Sequence, residues 1–361
     1  MTQHLPWLAL SRLPGIGPIT VRRWLEQFKT IDNLFTAKES DWKSVGFTTK
    51  QMHALKNPDW KKAEQDLCFS MENKCELITL VDKRYPILLK EIYDPPLLLY
   101  VQGDASLLAE PQIAMIGSRN PSITGKEIAE QFARDLASAG WIITSGLAMG
   151  IDSASHRGAL KTGKTIAVMG AGLQHIYPRS NQTLAKEIIK NGALVTEFPH
   201  DTLPKSFHFP MRNRIISGLS KGVLVVEAAI QSGSLITARL ALEQNRDVFA
   251  IPGSIHNLQA RGCHQLLRQG AKLVENVSDI LEEIGFCGEV VSIKSEYIET
   301  EEAVDLDPSL KRVLAHIGYE VTALESILVR SGLTMIELSS MLLSLELKGY
   351  VRSVSGGYAR S

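Results

Sequence analysis

The stretch Phe198-Pro199…Phe209-Pro210-Met211-Arg212-Asn213-Arg214-Ile215-Ile216…Val223-Leu224-Val225-Val226-Glu227…Gln231-Ser232-Gly233-Ser234-Leu235-Ile236-Thr237 decides the fold. Val223 to Val226 is continuously apolar, the pattern of a parallel strand buried on both faces. A Ser-Gly-Ser loop follows and opens a helical pattern. Helix N-termini behind such strands present unpaired backbone N–H groups and suit anions. Upstream, Arg212, Asn213 and Arg214 stand beside the Phe209-Pro210 turn. Cations, a ring and amide donors at one sheet edge are what a phosphate-backbone polymer requires. The competing reading is a surface loop with ordinary salt bridges.

Outward from this stretch the pattern repeats. Apolar runs at Ile113–Ile116, Trp141–Thr144, Thr165–Met169, Ala193–Thr196, Val223–Val226, Val248–Ile251 and Lys272–Val274 alternate with helical segments across roughly 110–285. That rhythm predicts right-handed βαβ crossovers and an α/β, Rossmann-like parallel sheet. The block before about residue 105 reads as helical. Its Leu13-Pro14-Gly15-Ile16-Gly17-Pro18 turn has the form of a helix-hairpin-helix, which either grips a DNA phosphate through backbone amides or serves as a packing module. Residues 282–307 hold nine acids against Lys294, the composition of a solvated linker. The last block, 308–361, carries three helical patterns and a Gly-turned ribbon at Tyr350–Tyr358, which resembles a winged helix. Its third helix, Met335–Lys348, bears Glu337 and Glu346 against Lys348, so protein contact suits it better than a duplex.

With 361 residues, 44% apolar and 22% charged, the chain has room for two or three folded domains. Lysine plus arginine equals aspartate plus glutamate, 39 each, so any polyanion site must be a local concentration of charge. Cys68, Cys75, Cys263 and Cys287 form no CxxC pair, which indicates neither a disulfide framework nor a zinc site. There is no apolar run of about 18 residues and no leader-like N-terminus, so a cytoplasmic protein away from membranes is expected.

Four turns should share the carboxyl edge of the sheet, where open α/β sheets bind ligands. They are Gly117-Ser118-Arg119, Thr144-Ser145-Gly146, Gly170-Ala171-Gly172 and Ser232-Gly233-Ser234. Glycine amides and serine hydroxyls there can meet a phosphate, and Arg119 adds a planar charged fork. Each turn alone is only a tight turn; four on one edge favour a ligand. Gly170-x-Gly172 with Glu197 is half of a dinucleotide fingerprint, since His175 stands where a third glycine belongs. Gly158-Ala159-Leu160-Lys161-Thr162-Gly163-Lys164-Thr165 spells a phosphate-binding loop, but it runs from helix to strand, the reverse of what that loop needs. Gly218-Leu219-Ser220-Lys221-Gly222 spells a nucleophile elbow with the same inverted context. His156 and His175 lack a nucleophile beside them. No cofactor and no metal is expected.

Between Asp201 and Lys221, four cations (Lys205, Arg212, Arg214 and Lys221) stand against one acid. Phe209 lies among them, as a stacking ring for single-stranded bases would, or else belongs to the core. Arg179, after Tyr177-Pro178, is a further candidate. With about four cations on phosphates, log affinity should fall with log salt at a slope of ~ −2.8 for single strands.

Gly117-Ser118-Arg119, Ser145-Gly146-Leu147-Ala148-x-Gly150-Ile151-Asp152…His156, Tyr177-Pro178, Phe209-Pro210-x-Arg212-Asn213-Arg214-Ile215-Ile216, Ser232–Ala238 and Arg261–Leu266 together resemble the DNA processing protein A (DprA, also called Smf) family. The resemblance covers roughly 85–285 and implies an extended Rossmann-like domain that binds single-stranded DNA. It implies a homodimer that protects incoming strands and loads the recombinase RecA during natural transformation, without catalysis. Arg119, Arg179 and Lys205 match the family's DNA-binding cations, Phe209 its stacking ring, and Arg212, Asn213 and Arg214 its basic signature. Dimer and RecA surfaces would lie at about 245–285. The expected division is 1–84 helical, 85–285 Rossmann-like, 286–307 linker and 308–361 winged-helix-like. A nucleotide phosphoribohydrolase shares the outline of the central block. Its Pro-Gly-Gly-x-Gly-Thr-x-x-Glu loop is replaced here by Gln231–Thr237, which lacks the glutamate.

Overall fold

A computed structural model describes residues 2–13, 15–285, 306–319 and 321–360. The acidic segment expected as a linker lies almost wholly outside the described residues. The chain divides into one unit up to Val290 and a second from Val291.

The first unit is built on nine strands: β1 (Cys75–Thr79), β2 (Leu98–Gly103), β3 (Gln112–Ile116), β4 (Ile142–Ser145), β5 (Thr165–Val168), β6 (Ala193–Thr196), β7 (Gly222–Val225), β8 (Asp247–Ala250) and β9 (Lys272–Leu273). Their order is β1-β2-β6-β5-β4-β3-β7-β8-β9. All seven strands expected from apolar runs are present, and every pairing among them is parallel. Two further strands correct the reading of the first hundred residues as purely helical. β1 pairs with β2, and β2 with β6, both antiparallel. The signal for β2 was the apolar run Leu97–Val101, which follows Pro95-Pro96 and is buried throughout.

The order reverses at β3. Strands β4, β5 and β6 extend to one side of it, and β7, β8 and β9 to the other. Such a switch point leaves a crevice beyond the carboxyl ends of the two diverging strands. Helices cover both faces, and fully buried side chains such as Ile113, Met115, Val223 and Leu224 fill the layers between.

The N-terminal helices pack onto the same sheet. Leu8 and Ala9, from the helix Leu5–Ser11, sit in one cluster with Tyr100 and Leu194. Asp66, fully buried on the helix Trp60–Glu72, joins this layer to the loop after β6. Its carboxylate accepts Arg12 Nε at 2.5 Å and Nη2 at 2.8 Å, and lies 2.5 Å from His200 Nδ1. Asp66, His200 and Asp201 are close enough to suggest a cation site, but protein donors already occupy both Asp66 oxygens. The cluster is an ion-pair clamp.

The second unit carries helices Pro308–Leu314, Leu324–Ser331 and Met335–Leu347, followed by β10 (Val351–Val354) and β11 (Gly357–Arg360). A bridge from Thr322 to Tyr358 adds a third strand position. Leu310, Val313, Ile327, Leu338, Leu342 and Leu345 form its core. This is the winged helix expected from the sequence.

Candidate nucleic-acid interface

At the switch point a cleft of about 740 Å³ opens between the ends of β3 and β7. The loop after β3 supplies Gly117, Ser118, Arg119 and Asn120. The loop after β7 supplies Gln231, Ser232, Gly233 and Ser234, and the helix His208–Leu219 supplies Phe209, Arg212 and Asn213. Parallel strands all end at one edge, so residues more than a hundred positions apart meet there.

The β3 loop is held from below. Ser118 N–H donates to Glu227 O at 2.7 Å. The buried Glu227 carboxylate accepts Ser122 N–H at 2.9 Å and Ser122 Oγ–H at 2.5 Å, and Ser122 Oγ caps the helix Ile123–Ser138 by accepting from Gly125 N–H at 2.9 Å. Gly150, at φ +83°, runs against Ser118 O and the Arg119 carbonyl carbon, where a Cβ would collide with backbone. Asn181 Nδ2 ties the β4 loop in place through Leu147 O and Ser153 Oγ, each at 2.8 Å.

Phe209 is half-buried and faces the cleft from above Gly170, whose missing Cβ makes room for the ring; a Cβ there would lie 2.8 Å from Phe209 Cδ1. Tyr177, exposed and also in the wall, has its ring centroid 5.5 Å away. The Arg119 guanidinium carbon stands 5.7 Å from the Phe209 centroid. Two rings and an exposed arginine therefore converge on one mouth. Tyr177 was missed as a ring, although its place at the exit of β5 was the available signal.

The other expected residues divide. Arg179 is exposed two positions past Tyr177, and Lys205 is exposed on the lip, but neither lines the cleft. Gly146 is buried, and its N–H donates to Asp152 Oδ2 at 3.1 Å. Arg212 lines the floor at 4% exposure and donates through Nη1 to Val168 O. It fills the space a Cβ on Gly146 would take. Burial draws its guanidinium down to about 10, so it stays a cation at neutral pH. Arg214 corrects the sequence reading outright: its guanidinium is buried, bonded to Glu197 at 2.6 and 2.9 Å and to Asp94 at 2.8 Å, outside the cleft. Glu197 is thereby accounted for as the partner of an arginine and not of a ribose.

Asp152 is the one acid among the described lining residues, and none of them is a histidine. Its Oδ2 accepts the amides of Gly146 and Ala148, and burial raises its pKa. His156 lies in the core, 2.7 Å from Thr165 Oγ1, and burial pulls it down to about 3. Because Thr165 Oγ1 donates to Ile143 O at 2.5 Å, His156 Nδ1 carries the proton in this pair. Both inverted motifs are structural. Lys161 pairs with Glu130 and Lys164 with Asp104, each at 2.9 Å, and Ser220 Oγ donates to Ile216 O.

The chain matches the family model described as DNA recombination-mediator protein A over residues 76–285, and the DprA winged helix domain over 299–357. It is 39% identical over 356 residues to Protein Smf of Escherichia coli (strain K12), covering 98% of this chain and 94% of that protein. It is 46% identical over 236 residues to the DNA processing protein DprA of Bacillus subtilis (strain 168), covering 64% and 80%. The X-ray structure of DprA from Streptococcus pneumoniae superposes at a TM-score of 0.68 and 36% identity, over 78% of this chain and 98% of that one. DprA from Helicobacter pylori, solved for its single-stranded DNA binding mode, superposes at 0.53 and 33% identity, over 58% and 95%. The central sheet domain and the winged helix are both matched by family models, and the chain belongs to the DprA family of DNA processing proteins.

Proposed function

We propose that the cleft holds single-stranded DNA without cutting or modifying it, and that the protein hands the covered strand to a RecA-class recombinase in the cytoplasm. The observation that carries this reading is Arg119 poised 5.7 Å from the Phe209 ring at the mouth of a cleft rimmed by Ser118 and Ser232-Gly233-Ser234. A phosphate needs the cation and amides, and an unpaired base needs the ring face. A duplex hides its faces within the stack. The family membership supports the assignment, as does the single-stranded DNA named for the Helicobacter pylori relative. A homodimer and a role in natural transformation belong to the same proposal.

The direct test is competition between single- and double-stranded DNA for wild type and Arg119→Ala. Single strands should win with wild type, and Arg119→Ala should weaken all sequences alike, because backbone contacts carry no base information. Preference for duplex, or a loss confined to one sequence, would refute the reading. The enzymatic alternative is tested by incubation with nucleoside monophosphates: sustained release of free base, abolished in Asp152→Asn, would establish turnover.

A further inference from the structure

The loop that runs from β6 to the helix His208–Leu219 serves two parts of the first unit. Its far half supplies Pro204 and Ser206 to the cleft wall. Its near half, ending at Asp201 three residues upstream of Pro204, is gripped by the N-terminal helices. His200 Nδ1 lies 2.5 Å from the fully buried Asp66 carboxylate, and the His200 ring stacks on Phe69 at 4.6 Å and 21°. Arg12 spans two acids, with Nη2 2.8 Å from Asp66 Oδ1 and 2.8 Å from Asp201 Oδ1. The same half of the loop also rests on the segment after β5. There Gly172 N–H donates to Thr202 O at 2.9 Å, and Gln174 N–H to His200 O at 3.2 Å. Neither Arg12, Asp66 nor Phe69 lines the cleft. A buried ion pair is a weak source of stability, because desolvation offsets much of its attraction. Bidentate, charge-assisted bonds such as those from Arg12 to Asp66 do fix geometry.

We propose that Arg12 and Asp66 are positioning residues for the cleft. Through His200 and Asp201 the N-terminal layer sets where the Pro204–Ser206 lip stands, and so sets the grip on a single strand. The inference rests on the single-strand reading of the cleft given above. Coupling of this kind is reciprocal: if the clamp tightens the grip, a strand seated in the cleft steadies the clamp.

The sign of one substitution separates positioning from charge. Asp66→Asn removes a negative charge, which through space leaves attraction for a polyanion equal or stronger. Positioning predicts the opposite. Binding of an oligothymidylate should weaken about 2- to 30-fold, the range for residues that couple to a site without touching its ligand. Because breaking a buried pair costs stability, Asp201→Asn is measured beside it, both as full chains checked by circular dichroism. Asp201 is exposed and loses its bond to Arg12, so this variant keeps its fold, removes the same charge and should weaken binding too. Hydrogen exchange supplies a second readout, since no residue of the helix Trp60–Glu72 lines the cleft. Saturating oligothymidylate should slow exchange along that helix in wild type and not in Asp66→Asn. Suppose wild type binds the strand. If a folded variant then binds it as tightly or more tightly, or if exchange along Trp60–Glu72 ignores the strand, the positioning role is overturned while the cleft stands. If wild type does not bind the strand, the cleft reading fails, and the positioning role with it.

Discussion

Arg212 and Arg214 stand two positions apart on one helix, and burial has made both part of the framework. Arg212 lies beneath Gly146, and Arg214 is held between Glu197 and Asp94. Neither partnership is visible in sequence, because Asp94 is 120 residues away and Gly146 offers no side chain to pattern. Phe209 lines the cleft. Phe209→Ala should therefore cost more affinity for single strands than for duplex, by about 1–3 kcal/mol, checked by titration with each; equal losses would argue against stacking. His156 makes a pH prediction. Its folded pKa, about 3, lies below the unfolded value of 6.5, so below pH 6.5 the unfolded chain binds a proton that the folded chain refuses. Stability is then lost as pH falls from 6.5 toward 3, by up to about 1.4 kcal/mol per unit from this residue. Denaturant midpoints at neutral and acid pH should shift less in His156→Gln; equal shifts would show that His156 protonates freely in the fold.

Among the elements, β3 to β7 were legible because each is buried throughout and is therefore largely apolar, whereas the edge strand β9 is exposed and was legible only through its place in the strand–helix rhythm. β1 and β2 were not, because they are embedded among helical patterns and join the sheet antiparallel at its far side. Strand ends position the cleft, and one carboxylate links two of them. Glu227, just past β7, anchors Ser122, the N-cap of the helix after β3. Glu227→Ala removes both acceptors and should destabilise the fold by about 1–3 kcal/mol. The same variant should weaken single-strand binding, since Arg119 lies in the anchored loop. An unchanged urea midpoint would contradict that role.

For the whole molecule, 39 cations balance 39 acids, so attraction for a polyanion is local and depends on which cations remain exposed. With Arg212 and Arg214 buried, Arg119, Arg179 and Lys205 remain near the cleft, and the expected salt dependence falls to a log–log slope of ~ −2.1 for single strands. Fluorescence titrations across salt concentrations read this directly; a slope near zero would remove the electrostatic account. The proposed division at 286–307 predicts that limited proteolysis cuts first there and releases the winged helix intact. The sequence by itself determined the parallel sheet, the winged helix and the edge at which the loops gather, because periodicity and turn chemistry are local and repeat within each segment. Only the tertiary structure decided which charged groups line the cleft, why Tyr177 joins Phe209, and how the N-terminal layer locks onto the loop after β6. Those outcomes depend on burial and on partners distant in sequence, and pairwise electrostatics acquires its strength only once folding has set the distances and excluded water.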